Sequence, residues 1–191
     1  MTDEELIKKL LANERDAFRE LVNLYQDRVV RTAAGLLPTY QDAEDIAQEV
    51  FVEIYRSLHA FRHDARLSTW IYRITVNKAI NLQKRNKRKQ WITSLESWFH
   101  SAGNDDGGRD SDRSYQADHP IQNAETARVL DQALNALPDK QRIAFTLHKV
   151  EGLPHREIAD IMQVSIPSVE SLIFRARVNL QKSLAGYYKL Y

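Results

Sequence analysis

Three carboxylates, Asp45, Glu49 and Glu53, fall at i, i+4 and i+8 in the stretch DAEDIAQEVFVEIYRSL (42–58), with Asp42, Glu44 and Gln48 beside them. That spacing sets the three acids in one row along a helix. Paired carboxylates on one face could hold a metal ion or divide acid and base duties. The rest of such equipment is missing: no histidine lies on the row, no nucleophile arrangement or Gly-rich phosphate loop occurs elsewhere, and the chain has no cysteine. His59 and His63, four apart, could ligate a metal on a helix, but no third ligand accompanies them and surface histidines satisfy the pattern. No catalytic residue, metal ligand or cofactor is therefore assigned. A row of acids repels phosphate and attracts a basic protein surface, so the row is read as a docking face.

A second constellation lies in STWIYRITVNKAINLQKRNKRK (68–89), where Trp70 and Tyr72 are interleaved with Arg73, and Asn77 and Asn81 follow one helical turn apart. Aromatic faces stack on unpaired bases for about 1 to 3 kcal/mol each, amides read base edges, and the basic tail can hold phosphates. The combination suits opened DNA better than intact duplex. Trp70 is equally at home in a hydrophobic core.

A third, EIADIMQVSIPSVESLIFRAR (157–177), has the pattern of a helix-turn-helix. Ile158, Ala159 and Met162 would face inward from its first helix, and Val164 and Ile166 would pack in the turn. Val169, Leu172, Ile173, Ala176 and Leu180 repeat on one face of the second helix, leaving Ser168, Glu170, Ser171, Phe174 and Arg175 for the major groove. A Glu can accept from cytosine N4, an Arg can contact guanine or phosphate, and Phe174 could lie on a thymine methyl. Gln163 stands where such turns often carry Gly. A plain helical hairpin would share the apolar pattern.

The elements that position these groups are helical throughout. Leu6, Leu10, Phe18, Leu21, Val22, Tyr25, Val29 and Ala33 recur at helical spacing until GLLP (35–38), which predicts one or two helices. Ala43, Ile46, Ala47, Val50, Phe51, Ile54 and Leu58 form the stripe behind the acids, and a further helix starts near Ser68. Residues 93–124 lose periodicity and gather Gly, Ser, Asp and Asn, as a flexible acidic linker would. Helical spacing resumes with Val129, Leu130, Ala133, Leu134 and Leu137, breaks at LPD (137–139), and continues through Ile143, Phe145, Leu147 and Val150 to EGLP (151–154). The expected fold is all-α: two small helical domains, 1–92 and 127–191, joined by the linker 93–126.

The net charge of +1 hides segregation. Residues 62–89 hold nine Lys/Arg against the single acid Asp64, while residues 41–61 carry −4 and residues 90–126 carry −5. Attraction to phosphate is local, within roughly 8 Å at physiological salt, so near-neutrality does not argue against DNA. The start, MTDEELIKKLLANERDAF, has neither a basic nor an apolar leader region, and no apolar run is long enough to span a bilayer. The expected location is the cytoplasm, with no membrane insertion.

Taken together, DAEDIAQEVFVEIYRSLHAFR, STWIYRITVNKAIN and LPDKQRIAFTLHKVEGLPHREIADIMQVSIPSVESLIFRARVNL resemble regions two and four of a bacterial RNA polymerase sigma factor. With only a linker in place of a middle domain, the likeness is to the extracytoplasmic function (ECF) group, and it covers residues 5–92 and 127–184. The resemblance implies an alternative sigma factor, not an enzyme, that binds core polymerase through its clamp coiled coil and flap and directs promoter-specific initiation. It implies a core-binding set of Asp42, Asp45, Gln48, Glu49, Phe51 and Glu53, with Phe51 as buried support. It implies a set for opening and reading the minus ten element: Phe61, Arg66, Trp70, Tyr72, Arg73, Asn77, Lys78 and Asn81. The set for the minus thirty-five element is Ser168, Glu170, Ser171, Phe174, Arg175 and Arg177. It further implies an anti-sigma factor as partner, and a linker that threads toward the polymerase active centre. Two rival readings remain at this level: a free-standing helix-turn-helix regulator, and a nucleic-acid-processing enzyme with a metal on the acidic row.

Overall fold

The computed structural model describes residues 3–12, 14–61, 65–100 and 121–188, and all regular structure among them is helical. In chain order the helices are α1 (Asp3–Leu11), α2 (Arg15–Ala34), α3 (Tyr40–Ser57), α4 (Leu67–His100), α5 (Ile121–Asn135), α6 (Asp139–Lys149), α7 (His155–Met162) and α8 (Ile166–Tyr188). A single 3-10 turn, Leu58–Ala60, follows α3.

Local chemistry sets the boundaries. Gly35 closes α2, its N–H returning to the Arg31 carbonyl at 3.0 Å. Thr39 caps α3: its Oγ1 accepts from the Asp42 N–H at 3.1 Å, and its hydroxyl donates to Asp42 Oδ2 at 2.7 Å. Between α7 and α8 the chain turns through Gln163 at φ 55° and ψ 47°, the left-handed conformation that Gly adopts more cheaply. The long α4 continues to His100, past the linker boundary expected at residue 93, and α5 begins at Ile121 rather than near 127. No Gly or Pro occurs between residues 67 and 102, so nothing in the backbone stops α4 where apolar periodicity fades. The remaining inter-helix stretch, 101–120, lies outside the described residues.

Helices α1 to α4 form the first domain, α5 to α8 the second. Periodicity does not predict how the two meet. Leu21, Val29, Val50, Ile54 and Ile71 of the first domain and Leu147, Ile158 and Val169 of the second belong to one continuous buried cluster. Full burial of such side chains contributes roughly 1.5 to 3 kcal/mol each. A smaller cluster, Ala133, Leu137, Ala176 and Leu180, fastens α5 to α8.

Seam chemistry is specific. Gln83 Nε2 donates to the Leu36 carbonyl at 2.7 Å, and its Oε1 accepts from the Arg142 guanidinium of α6. Arg142 is 2% exposed and also donates to Asn135 Oδ1 at 3.1 Å. Burial lowers its pKa from the ordinary guanidinium value, against the opposing pull of Asp139 and Asp131. Thr146 Oγ1 donates to the Gly35 carbonyl at 3.2 Å. A Cβ on Gly35 would stand 2.5 Å from Thr146 Cγ2, so the two domains touch where the first has no side chain.

Candidate nucleic-acid and protein interfaces

The acidic row stands on α3 as expected, with Asp45, Gln48 and Glu49 exposed and Glu53 half-buried. Phe51 is 8% exposed and packs beneath the row, so it supports the face without presenting itself. Asp42 is tied into the helix cap, an engagement its core-binding assignment did not foresee. Lys78, assigned to DNA, instead reaches from α4 toward the acids: its Nζ lies 3.5 Å from Glu49 Oε2 and 3.8 Å from Glu53 Oε2. The physical reason is helix packing, since α4 runs against α3 and position 78 faces that neighbour.

On α4, side chains divide by helical face. Asn77 and Asn81 are exposed one turn apart, and Trp70, two turns before Asn77, shares their side of the helix. Trp70 is half-buried with its ring 5.1 Å from that of Phe61, centroid to centroid, so it belongs partly to the core and partly to the surface. Tyr72, Val76, Ala79 and Gln83 form the other row, and all four are buried. The expectation that Tyr72 offers a stacking face therefore fails in this arrangement: it is 3% exposed, because its row is the one the second domain covers.

The covering groups are acids and a carbonyl. Tyr72 Oη donates to Glu151 Oε2 at 2.8 Å, and Arg31 donates through Nε and Nη2 to the two oxygens of the same carboxylate at 3.3 and 3.4 Å. Arg66 Nη1 donates to Glu157 Oε1 at 2.9 Å, and Arg73 Nη2 to the Asp160 carbonyl at 2.8 Å. Of the minus ten set, Arg66, Tyr72 and Arg73 are thus engaged with the second domain, while Asn77 and Asn81 face solvent. Sequence reasoning did not single out Arg31, Glu151 or Arg142, whose roles depend on the docking.

Burial first, then the hydrogen bond to Glu151, pushes the Tyr72 phenol up from its ordinary value near 10. The neutral phenol is the form the fold favours. Its contribution to stability is complete below the ordinary tyrosine range and is lost as pH rises through the raised value. An ultraviolet titration is expected to lose one tyrosine that ionises above the ordinary range in Tyr72→Phe; an unchanged profile would place that ionisation elsewhere.

In the helix-turn-helix, Ile158 and Ala159 are buried as the pattern required, Met162 is half-buried, and Ile161, not among the expected inward residues, is buried as well. Val169, Ile173, Ala176 and Leu180 pack inward, Leu172 less completely, while Ile166 is 42% exposed and does not fill the turn. Phe174 is 67% exposed on the outer side of α8. Glu170, Arg175 and Arg177 are exposed beside it, and Ser171 is half-buried. Ser168 is engaged at the helix start, its Oγ 2.8 Å from Ser165 Oγ. His155, not singled out from sequence, lies with its Nδ1 3.6 Å from Glu170 Oε1.

Among the described residues no group of three or more His, Asp or Glu could hold a metal ion. No described helix is long and apolar enough to cross a membrane. A groove of about 1020 Å³ opens between α2, α3 and the second domain, with Val30, Tyr40, Phe51, Leu130 and Val150 in its walls.

Residues 21–89 match the family model described as Sigma-70 region 2, and residues 127–180 match that described as Sigma-70, region 4. The chain is 33% identical over 190 residues to the ECF RNA polymerase sigma-E factor of Haemophilus influenzae, covering 96% of each chain. It is 32% identical over 177 residues to the sigma-E factor of Escherichia coli K12, covering 93% of this chain and 91% of that one. It is also 31% identical over 195 residues to the RNA polymerase sigma-H factor of Pseudomonas aeruginosa, covering 95% and 93% respectively. In fold it is similar to CnrH in complex with the cytosolic domain of CnrY, at TM-score 0.70 and 22% identity over 96% of this chain and 97% of that one. A similar fold occurs in RpoE of Bartonella quintana, in complex with the anti-sigma factor NepR, at TM-score 0.63 and 21% identity over 88% and 96%.

Proposed function

The chain belongs to the ECF group of RNA polymerase sigma factors and directs transcription initiation as an alternative sigma factor, and from that premise we propose how its residues divide the work. The acidic row of α3, with Asp45, Gln48 and Glu49 outward, Glu53 half-buried and Phe51 beneath, docks on the clamp coiled coil of core polymerase. Asp42 keeps the start of that row in place from the helix cap. The face of α4 that carries Trp70, Asn77 and Asn81 captures unpaired bases of the minus ten element, with Phe61 supporting Trp70 and the basic end of α4 on phosphates. Glu170, Phe174, Arg175 and Arg177 read the minus thirty-five duplex, with Ser168 and Ser171 at the same end of α8, while the second domain leans on the polymerase flap.

The domains follow the division 1–92, 93–126 and 127–191 in function, although the helices overrun the linker on both sides. Tethered contacts reinforce one another through effective concentration, so neither DNA contact need be tight alone. The protein works in the cytoplasm, where polymerase and promoter are. An anti-sigma factor is the regulatory partner, seated in the groove walled by Tyr40, Phe51, Leu130 and Val150.

The observation that carries this reading is the exposure of Asn77 and Asn81 on one face of a basic, aromatic helix. Purified protein added to core polymerase is expected to start transcription at promoters that core alone ignores. Asn77→Ala and Asn81→Ala should each lower open-complex formation about tenfold while core binding stays within about twofold, since a good base contact is worth roughly 1 to 3 kcal/mol. Loss of core binding in those variants would overturn the assignment. A free-standing regulator would instead bind an operator tightly without polymerase.

A further inference from the structure

Glu170 is the single acid among the residues assigned to the minus thirty-five duplex, and its own helix gives it no cation. Positions 166, 167, 173 and 174, three and four away along α8, hold Ile, Pro, Ile and Phe. The charge partner comes from α7: His155 Nδ1 lies 3.6 Å from Glu170 Oε1, with side chains 35% and 58% exposed. That separation is long for a hydrogen bond and suits an ion pair once the imidazole is protonated.

His155 is backed from its other side. The His148 ring of α6 lies 5.0 Å away, centroid to centroid, with 57° between the planes. Its Nδ1, 3.4 Å from the Leu153 carbonyl, donates to that oxygen, which fixes the ring. His155 therefore stands between an anchored imidazole and a base-reading carboxylate. The other charged groups around α7 are committed elsewhere or solvated. Glu157 takes Arg66, the Asp160 carbonyl takes Arg73, and Glu151 takes Arg31 and Tyr72. Lys149, Arg156, Asp160, Arg175 and Arg177 are exposed.

We propose that His155 is a positioning residue for Glu170 and sets, through its own charge, how strictly that carboxylate reads a base. The inference rests on the proposed minus thirty-five role of Glu170. With the imidazole charged, the carboxylate is neutralised and drawn toward α7. With the imidazole neutral, it is free to accept from the exocyclic amine of a cytosine in the major groove. Histidine changes charge between about pH 5 and pH 8, so selectivity for cytosine is greatest at the alkaline end and falls as the pH drops. The pair is solvent-screened, and such pairs shift an equilibrium a few fold, so the base preference is expected to change about threefold.

The test is transcription by the holoenzyme, full-length chain on core polymerase, from a promoter library randomised across the minus thirty-five element. Transcripts are counted by sequencing at about pH 6 and about pH 8, the range over which histidine titrates. Preferences are ratios between templates in one reaction, so an effect of pH on the polymerase as a whole cancels. Glu170→Gln identifies the position that Glu170 reads. At that position the parent is expected to favour cytosine about threefold more at the higher pH. His155→Gln should hold the high-pH preference at both values, and His155→Lys, charged throughout, the low-pH preference. A residue that merely supported the fold would move both variants in the same direction, and circular dichroism checks that helicity is kept. A parent preference equal at the two pH values would overturn the inference, and so would a His155→Gln chain that keeps the parent's shift. If Glu170→Gln alters no position, the minus thirty-five role of Glu170 falls and takes the inference with it, a result distinct from the other two.

Discussion

Recruitment to core polymerase is expected to fall at least about a hundredfold when Asp45 and Glu49 are both replaced by Arg, because truncating or reversing desolvated interfacial charges costs roughly 2 to 5 kcal/mol. Both side chains are exposed on the outer face of α3, one helical turn apart, while Val50, Phe51 and Ile54 hold the inner face. Arg is a good helix former, so the helix itself is not threatened. Replacing Glu49 also breaks its ion pair with Lys78 at 3.5 Å, a solvent-screened pair of the kind worth about 0 to 1 kcal/mol. Thermal stability should therefore stay within a few degrees of the parent while binding disappears. Pull-down by core polymerase, read beside a melting curve, separates the two effects. A double variant recruited as well as the parent would mean that the acids on α3 are a solvated face and nothing more.

The second large effect concerns stability. Ile158 is 0% exposed within the buried cluster common to both domains. Ile158→Ala deletes buried methyl and methylene groups and leaves a cavity, at a cost of about 2 to 5 kcal/mol. For a chain of this size that corresponds to a fall in Tm of roughly 4 to 20 °C, at 2 to 4 °C per kcal/mol. All three tryptophans, Trp70, Trp91 and Trp98, lie on α4, whereas Ile158 lies on α7. With a continuous core, tryptophan fluorescence is expected to register the loss although the substitution sits in the other domain. A tryptophan transition that stays put while the far-ultraviolet signal splits into two steps would show that the domains melt independently.

Much of this was legible in the residues. The stripe behind the acids, Ala43 to Ile54, is buried as its spacing required, and the inward set of the helix-turn-helix held at Ile158, Ala159, Val169 and Ile173. Gln163 occupies the left-handed turn position that its place in the motif indicated. What could not be read was anything that depends on one domain meeting the other. Tyr72 has the composition of a stacking residue, and only the approach of Glu151 makes it a buried donor. Lys78 belongs by sequence to the basic block, yet its place along α4 points it at Glu49. The second domain gave no warning either: Arg142 closes the polar stretch DKQR (139–142), and only its place against Gln83 makes it a buried donor. The overrun of α4 to His100 was hidden for another reason. A helix persists through polar sequence where no Gly or Pro ends it, and apolar periodicity says nothing about exposed turns.

Gly35 has a further consequence. It carries the smallest side chain available, so every replacement adds atoms against Thr146 and none takes any away. Heritable change at this position is therefore directional. Drift there can loosen the grip between the domains but cannot strengthen it, and lineages that need a tighter grip must find it elsewhere along the seam.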